Sequence, residues 1–234
     1  MLSFLLFFIA GFILLPQSAF AWGPLTHIYL GNEVFYLSTV LPANLFYLLT
    51  RYREDFLYGN IVADIIFAKG LLPPEKNSHS WSVGFDMLER AEDNSQKAFV
   101  YGYLCHLASD TVAHEDLASK IGLSHTVLEL RADRLIDSRY WLEAITINRK
   151  IQKRNDMFLK ECLESAIFSF KTNKRLFKGL MYLSILNRNL SIPPPEVWSR
   201  EIKRLHEESL DRMLDILIKE DRSRVTKKKA FIEF

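Results

Sequence analysis

Residues 94–114, NSQKAFVYGYLCHLASDTVAH, decide the fold class. Phe99, Tyr103, Leu104, Leu107, Ala108 and Val112 recur at helical spacing, and Asn94 or Ser95 is a suitable N-cap, so the stretch predicts a buried helix. His106, Asp110 and His114 are spaced i, i+4 and i+8 on it. Four residues turn an ideal helix by about 400°, so an unbroken helix puts all three on one face, each offset by about 40° from the last. One reading is a buried Asp held by two neighbouring His through hydrogen bonds. The other is a metal ruler. A rise of about 1.5 Å per residue sets the two His backbones about 12 Å apart, too far for one ion, while the two oxygens of Asp110 suit a bridge between two.

Outward from this helix, helical periodicity alternates with short breaker clusters, and no run of period-2 alternation is long enough for a sheet. The fold class is all-α, a single multi-helix domain. Pro24 suits the first turn of a helix over about 25–38, and Pro42 opens another ending near Arg51. Gly70, Pro73, Pro74, Asn77 and Ser78 make residues 68–80 an extended connection that delivers His79 and Trp81. Ser124 suits the cap of a helix from His125 to about Ile136, on which His125 and Glu129 form a second i, i+4 pair. Segments near 140–154, 156–170, 173–188 and 196–220 read as packing helices, with Pro193-Pro194-Pro195 dividing the last two. Residues 222–234 read as a basic tail, solvated and frayed, with weak membrane-surface contact as the alternative.

Of the 234 residues, 49% are hydrophobic and 25% charged, enough for one sizeable core and little room for a second. The formal net charge of +2 sets up no field that calls for duplex nucleic acid. Cys105 and Cys162 both fall in helical segments and read as ordinary buried thiols rather than a disulfide framework. Five of the six His, at 27, 79, 106, 114 and 125, lie in segments that carry candidate ligands, and His206 lies in a charged stretch that reads as helix surface. Nitrogen and oxygen donors without a functional Cys suit zinc better than calcium.

No Lys, Arg, Asp or Glu precedes Glu33, and Leu2 to Leu15 is almost wholly apolar. Pro16, Gln17 and Ser18 break that run, and Ala19-Phe20-Ala21 supplies the small-x-small pattern of signal-peptide cleavage, which makes Trp22 the mature N-terminus. The expected organisation is a leader over 1–21, a helical domain over 22–221 and the tail. Export places the protein in the periplasm or outside the cell; an uncleaved leader would anchor it in the membrane.

Trp22-Gly23-Pro24-Leu25-Thr26-His27, Gly59-Asn60-Ile61-Val62-Ala63-Asp64, Ser78-His79-Ser80-Trp81, the His106/Asp110/His114 helix and the His125/Glu129 pair occur in the order found in zinc-dependent phospholipases C, and over about residues 22–130 the chain resembles that family. The related fungal zinc nucleases likewise begin with Trp and place a His five residues later. The resemblance implies three zinc ions. Asp64, His79, His106 and Asp110 would surround the first, and His114, His125 and Glu129 the second. His27, a bridging Asp110 and the amino nitrogen and carbonyl oxygen of Trp22 would hold the third. An α-amine of pKa about 7.7–8.0 yields its proton to a metal readily, whereas an amide nitrogen does not, so leader cleavage would complete the site.

The three residues between Asp110 and His114 replace the five usual in bacterial phospholipases C, and this spacing is closer to the catalytic domain of glycosylphosphatidylinositol-specific phospholipase D. The implied activity is hydrolysis of phospholipid headgroups or another phosphodiester, of C or D type, with Asp64 as a catalytic residue that orients the attacking water. A nuclease, which needs stacking platforms such as Trp81, Phe85 and Tyr103, and a membrane-anchored metal-binding protein without catalysis are the alternatives.

Overall fold

The structure, a computed structural model, describes residues 22–66, 72–73, 76–117, 132–163, 169–190 and 196–230, and no strand occurs among them. Helix α1 (Pro24–Glu33) ends in a 3₁₀ turn (Val34–Tyr36). Helices α2 (Ala43–Arg51) and α3 (Arg53–Val62) follow, and α3 runs into a 3₁₀ turn (Ala63–Ile65). Next come α4 (Trp81–Arg90) and α5 (Asn94–Val112), then a π-helical turn (Ala113–Leu117). Helices α6 (Ser138–Thr146), α7 (Arg149–Cys162), α8 (Phe170–Leu190) and α9 (Glu196–Lys219) complete the domain, with 3₁₀ turns at Glu220–Arg222 and Arg224–Lys227.

Helix α5 is the axis of the core. It is buried nearly all round rather than on one stripe, as befits a helix enclosed on several sides, and α3, α9 and α4 all pack against it. Its closest neighbour is α3, and two glycines set that contact. A Cβ on Gly59 would lie 1.9 Å from the backbone oxygen of Phe99, and one on Gly102 would lie 2.0 Å from that of Phe56. The two backbones therefore touch, each glycine facing the other helix's main chain. Phe56, Phe99 and Tyr103 fill the space beside the crossing.

The structure moves several boundaries. Helix α1 stops at Glu33, earlier than 38, and the chain tightens into the 3₁₀ turn. The N-cap of α5 is Asp93, whose Oδ1 accepts from the Gln96 amide at 2.8 Å while the Gln96 side chain accepts from the Asp93 amide at 3.3 Å, a complete capping box one residue earlier than expected. The break in the third quarter of the chain falls near residue 147, because the Asn148 side chain accepts from the Lys150 amide at 2.8 Å and starts a new helix. Cys105 is buried as expected, whereas Cys162 at the end of α7 is half-buried; both are free thiols. The leader, residues 122–129 and the proline triplet lie outside the described residues.

Two further expectations are overturned. His206 is buried, not solvated, because the inward stripe of α9 runs through Ile202, Leu205, His206, Ser209 and Met213, and the charged neighbours Arg204 and Glu207 sit on the outer face. Its ring meets Trp22 edge-on at 5.0 Å, and burial pushes its pKa down to about 4. Residues 222–230 do not fray. The Ser223 hydroxyl accepts from the Val225 amide at 3.0 Å, Val225 and Ala230 are buried, and the Lys228 carbonyl accepts from the Trp81 indole at 2.9 Å.

Alanine at Gly59 or Gly102 drives a methyl group into a backbone that cannot yield without parting the helices, so each substitution is expected to cost about 3 kcal/mol, read as a lower midpoint in urea denaturation. His206 generates a pH term. Above pH 6.5 it is neutral whether the chain is folded or unfolded; below that the unfolded chain takes up a proton that the folded one refuses, until about pH 4. Relative to His206→Phe, the native protein is therefore expected to lose up to about 3 kcal/mol between pH 6.5 and 4, and parallel stability curves would contradict this.

Candidate metal centre

Each of the two touching glycines is followed closely by a functional residue. Asn60 follows Gly59 directly, and its carbonyl oxygen lies 2.9 Å from His106 Nδ1, one turn beyond Gly102. A carbonyl can only accept, so His106 donates through Nδ1–H, and in the neutral ring Nε2 carries the lone pair. That nitrogen points at His79 Nε2 (3.1 Å), Asp110 Oδ2 (3.2 Å) and Asp64 Oδ2 (3.8 Å). Asp64 sits on the 3₁₀ turn that closes α3, and its Oδ1 is 3.2 Å from His79 Nε2. His79 arrives on the connection before α4, as expected. The connection is held by the Asn77 side chain, which accepts from the His79 amide at 2.9 Å, and by the Tyr103 hydroxyl, which donates to the Ser78 carbonyl. Burial, reinforced by Asp64, raises the Tyr103 pKa, so its hydroxyl stays a donor.

Asp64, His79, His106 and Asp110 are all buried, and one donor atom from each lies within 4.8 Å of the others. Ligands about 2.0–2.2 Å from a tetrahedral zinc stand about 3.3–3.6 Å apart. The separations of 3.1 to 3.8 Å around His106 Nε2 bracket that range.

His27 comes from α1 and stacks on His106, centroids 3.8 Å apart at 20°. The Ser109 hydroxyl gives its proton to the His106 carbonyl at 2.9 Å, so at 3.3 Å from His27 Nδ1 it acts as acceptor. This turns the lone pair of His27 Nε2 toward Asp110 Oδ1, 3.2 Å away. The two oxygens of Asp110 thus face different partners, Oδ1 toward His27 and Oδ2 toward His79 and His106. His27 Nε2 and both Asp110 oxygens are buried without a hydrogen bond. Burial and the neighbouring His106 lower the His27 pKa, with partial opposition from Asp110. Burial alone would raise the Asp110 carboxyl, but His106 and His27 outweigh it and hold it well below the usual carboxylate range. Buried acceptors converging on one point are costly until a cation joins them, so this donor set fits zinc.

His114 lies past the regular helix. Helix α5 ends as an α-helix at Val112, and His114 falls in the π-helical turn that follows. It is half-buried. Its neighbour Glu115 is gripped by Arg212 of α9 at 2.8 Å and Lys228 at 2.7 Å. Burial opposes the Glu115 charge, but these two cations prevail and hold its carboxyl below the usual range. His125 and Glu129, assigned to the same ion, lie outside the described residues.

Trp22 is buried with its indole N–H shared between the Ser109 carbonyl (3.0 Å) and the Ser209 hydroxyl (3.1 Å). Asp133, with no motif to mark it, accepts from the Thr26 amide at 3.0 Å and the Thr26 hydroxyl at 2.9 Å, and a Cβ on Gly23 would strike its carboxylate at 2.3 Å. It caps α1 from outside and presses the chain before His27 into place. Of the aromatic side chains near the site, Tyr103 is core, and Trp81 and Phe85 stack with centroids 6.3 Å apart, both half-buried.

The sequence model of one family, described as zinc dependent phospholipase C, matches residues 26–176. No curated protein and no solved structure matches the chain. The match covers well over half of the chain, reaches past the motifs into α8, and contains Asp64, His79, His106 and Asp110. With that span and the buried Asp/His cluster together, the chain belongs to the zinc-dependent phospholipase C family.

Proposed function

We propose that the protein is an exported phosphodiesterase that hydrolyses phospholipid headgroups at a three-zinc site. The observation that carries this reading is the convergence of Asp64, His79, His106 and Asp110 on one buried point, with His27 Nε2 aimed at the far oxygen of Asp110. Asp64, His79, His106 and Asp110 would hold the first ion. His27, the second oxygen of Asp110 and the amino terminus at Trp22 would hold another, and His114, His125 and Glu129 a third. When bound there, zinc supplies Lewis acidity toward a phosphoryl oxygen and ionises water near neutral pH.

The protein's own residues do the rest. The Asn60 carbonyl and the Ser109 hydroxyl fix the His106 and His27 rings so that each presents Nε2. Asp64 orients the attacking water in line with phosphorus. Low exposure of the donors keeps bulk water from competing for them. The buried position of Trp22 against α9 and Ser109 supports an amino terminus at this place, because the indole is tied on two sides beside His27. Among the described residues no helix is long and apolar enough to cross a membrane.

Elemental analysis of protein beginning at Trp22 is expected to find about three zinc ions per chain, with hydrolysis of a chromogenic phosphocholine diester that a chelator abolishes. Asp110→Ala is expected to lower the zinc content and reduce hydrolysis by at least about 100-fold, the loss seen even when an outer partner of a metal ligand is removed. Metal-replete protein that cleaves neither phosphocholine nor other phosphodiesters would defeat the reading. An intact leader on the native protein, found by mass spectrometry, would favour the anchored alternative.

A further inference from the structure

Charge is distributed unevenly over this nearly neutral chain. Helix α8 contains five basic residues and no acidic one, and α7 adds five basic residues against two acidic. Lys171, Arg175, Lys178 and Tyr182 follow one another at intervals of four, three and four residues, which places them in a single stripe along α8, and all four are exposed. Of the acids on the adjoining helices, Glu143 of α6 pairs with Arg53 at 2.6 Å and Asp156 of α7 pairs with Lys174, while Glu161 at the end of α7 is exposed. Among the described residues no acid pairs with Lys171, Arg175 or Lys178.

Large apolar side chains flank this stripe. The Trp141 indole donates to the Met181 carbonyl at 3.3 Å and its ring meets Tyr182 at 5.9 Å, which fixes α6 beside α8. Leu142 and Tyr182 are 59% and 56% exposed, and Ile145 is 37% exposed. Ile145, Lys178 and Tyr182 line one recess between the two helices. Water-facing aliphatic side chains beside uncompensated cations have the composition of a surface that rests in a lipid headgroup layer, the cations meeting phosphates and the apolar groups entering the acyl boundary. A single-stranded nucleic-acid surface needs a series of stacking rings, and this face exposes one, Tyr182, beside leucine and isoleucine.

We infer that the α6–α8 face, through Lys171, Arg175, Lys178, Leu142, Ile145 and Tyr182, docks the protein on an anionic lipid bilayer. The inference goes beyond the hydrolytic reading and does not depend on it, since these residues lie outside the metal centre. The test follows initial binding of processed, zinc-loaded protein to vesicles by energy transfer from its tryptophans to a labelled lipid, before the lipid is turned over. Binding is expected to vesicles of phosphatidylcholine with about 30 mol% phosphatidylserine, to be weak on phosphatidylcholine alone, and to fall as salt rises. The triple variant K171Q/R175Q/K178Q is expected to bind on the order of 100-fold more weakly, with unchanged melting and unchanged hydrolysis of a soluble diester. The pair Leu142→Ser and Tyr182→Ser is expected to weaken binding at every salt concentration. Equal binding to both vesicle types, indifference to the triple substitution, or preference for a single-stranded oligonucleotide at equal phosphate would overturn the inference. Charge-dependent docking without hydrolysis would leave it standing and count against the catalytic reading, and hydrolysis without such docking would do the reverse.

Discussion

The contact between the backbones of α3 and α5 governs the rest of the molecule. With no side chain at Gly59 or Gly102, each helix lays its main chain against the other, and the approach fixes both separation and register. Asn60 follows the first glycine and His106 lies one turn past the second, so the same register that buries Phe56 and Phe99 in one core also lets a carbonyl select the tautomer of a metal-facing imidazole. Asp64 and Asp110 sit one turn further along their chains, and their carboxylates both reach His79. The metal centre is thus the continuation of a packing contact, and its donors need no loop to bring them together except at His79.

Buried acids and imidazoles in such numbers work against the apo fold. Desolvation penalises every charge there, and a site of this kind balances only when a cation joins it. The crossing of α3 on α5, the external cap that Asp133 gives α1 and the grip of α9 on Trp22 supply rigidity that keeps the donors converged. Metal affinity and fold stability are therefore coupled through the same few contacts.

Much of this was legible in the chain itself. Periodicity over 94–112 marked the central helix, and the i, i+4 spacing of His106 and Asp110 puts two candidate donors on one face because both lie within the regular part of α5. At His114 the regular arithmetic meets a π-helical turn, which begins at Ala113 and has no signature in composition. His206 was misread because its charged neighbours dominate a local window, whereas the buried stripe of α9 shows only when Ile202, Ser209 and Met213 are taken with it. Asp133 and Ser209 carry no local signal at all; their importance comes from distant partners, Thr26 and Trp22, more than a hundred residues away.

The C-terminal quarter lies beyond the family-matched stretch and still touches three segments of the centre. Helix α9 holds Trp22 through Ser209 and His206, and Arg212 reaches both Thr111 near the end of α5 and Glu115 beside His114. The segment after α9 adds Lys228, whose side chain meets the same Glu115 and whose carbonyl holds Trp81, two residues past His79. A basic run that composition marks as solvent-exposed instead bridges the segments that deliver His79 and His114. Those bridges are ion pairs and single hydrogen bonds at the protein surface, weak individually. Their effect lies in position: each ties down the residue next to a candidate ligand, where a small displacement matters more than a small free energy.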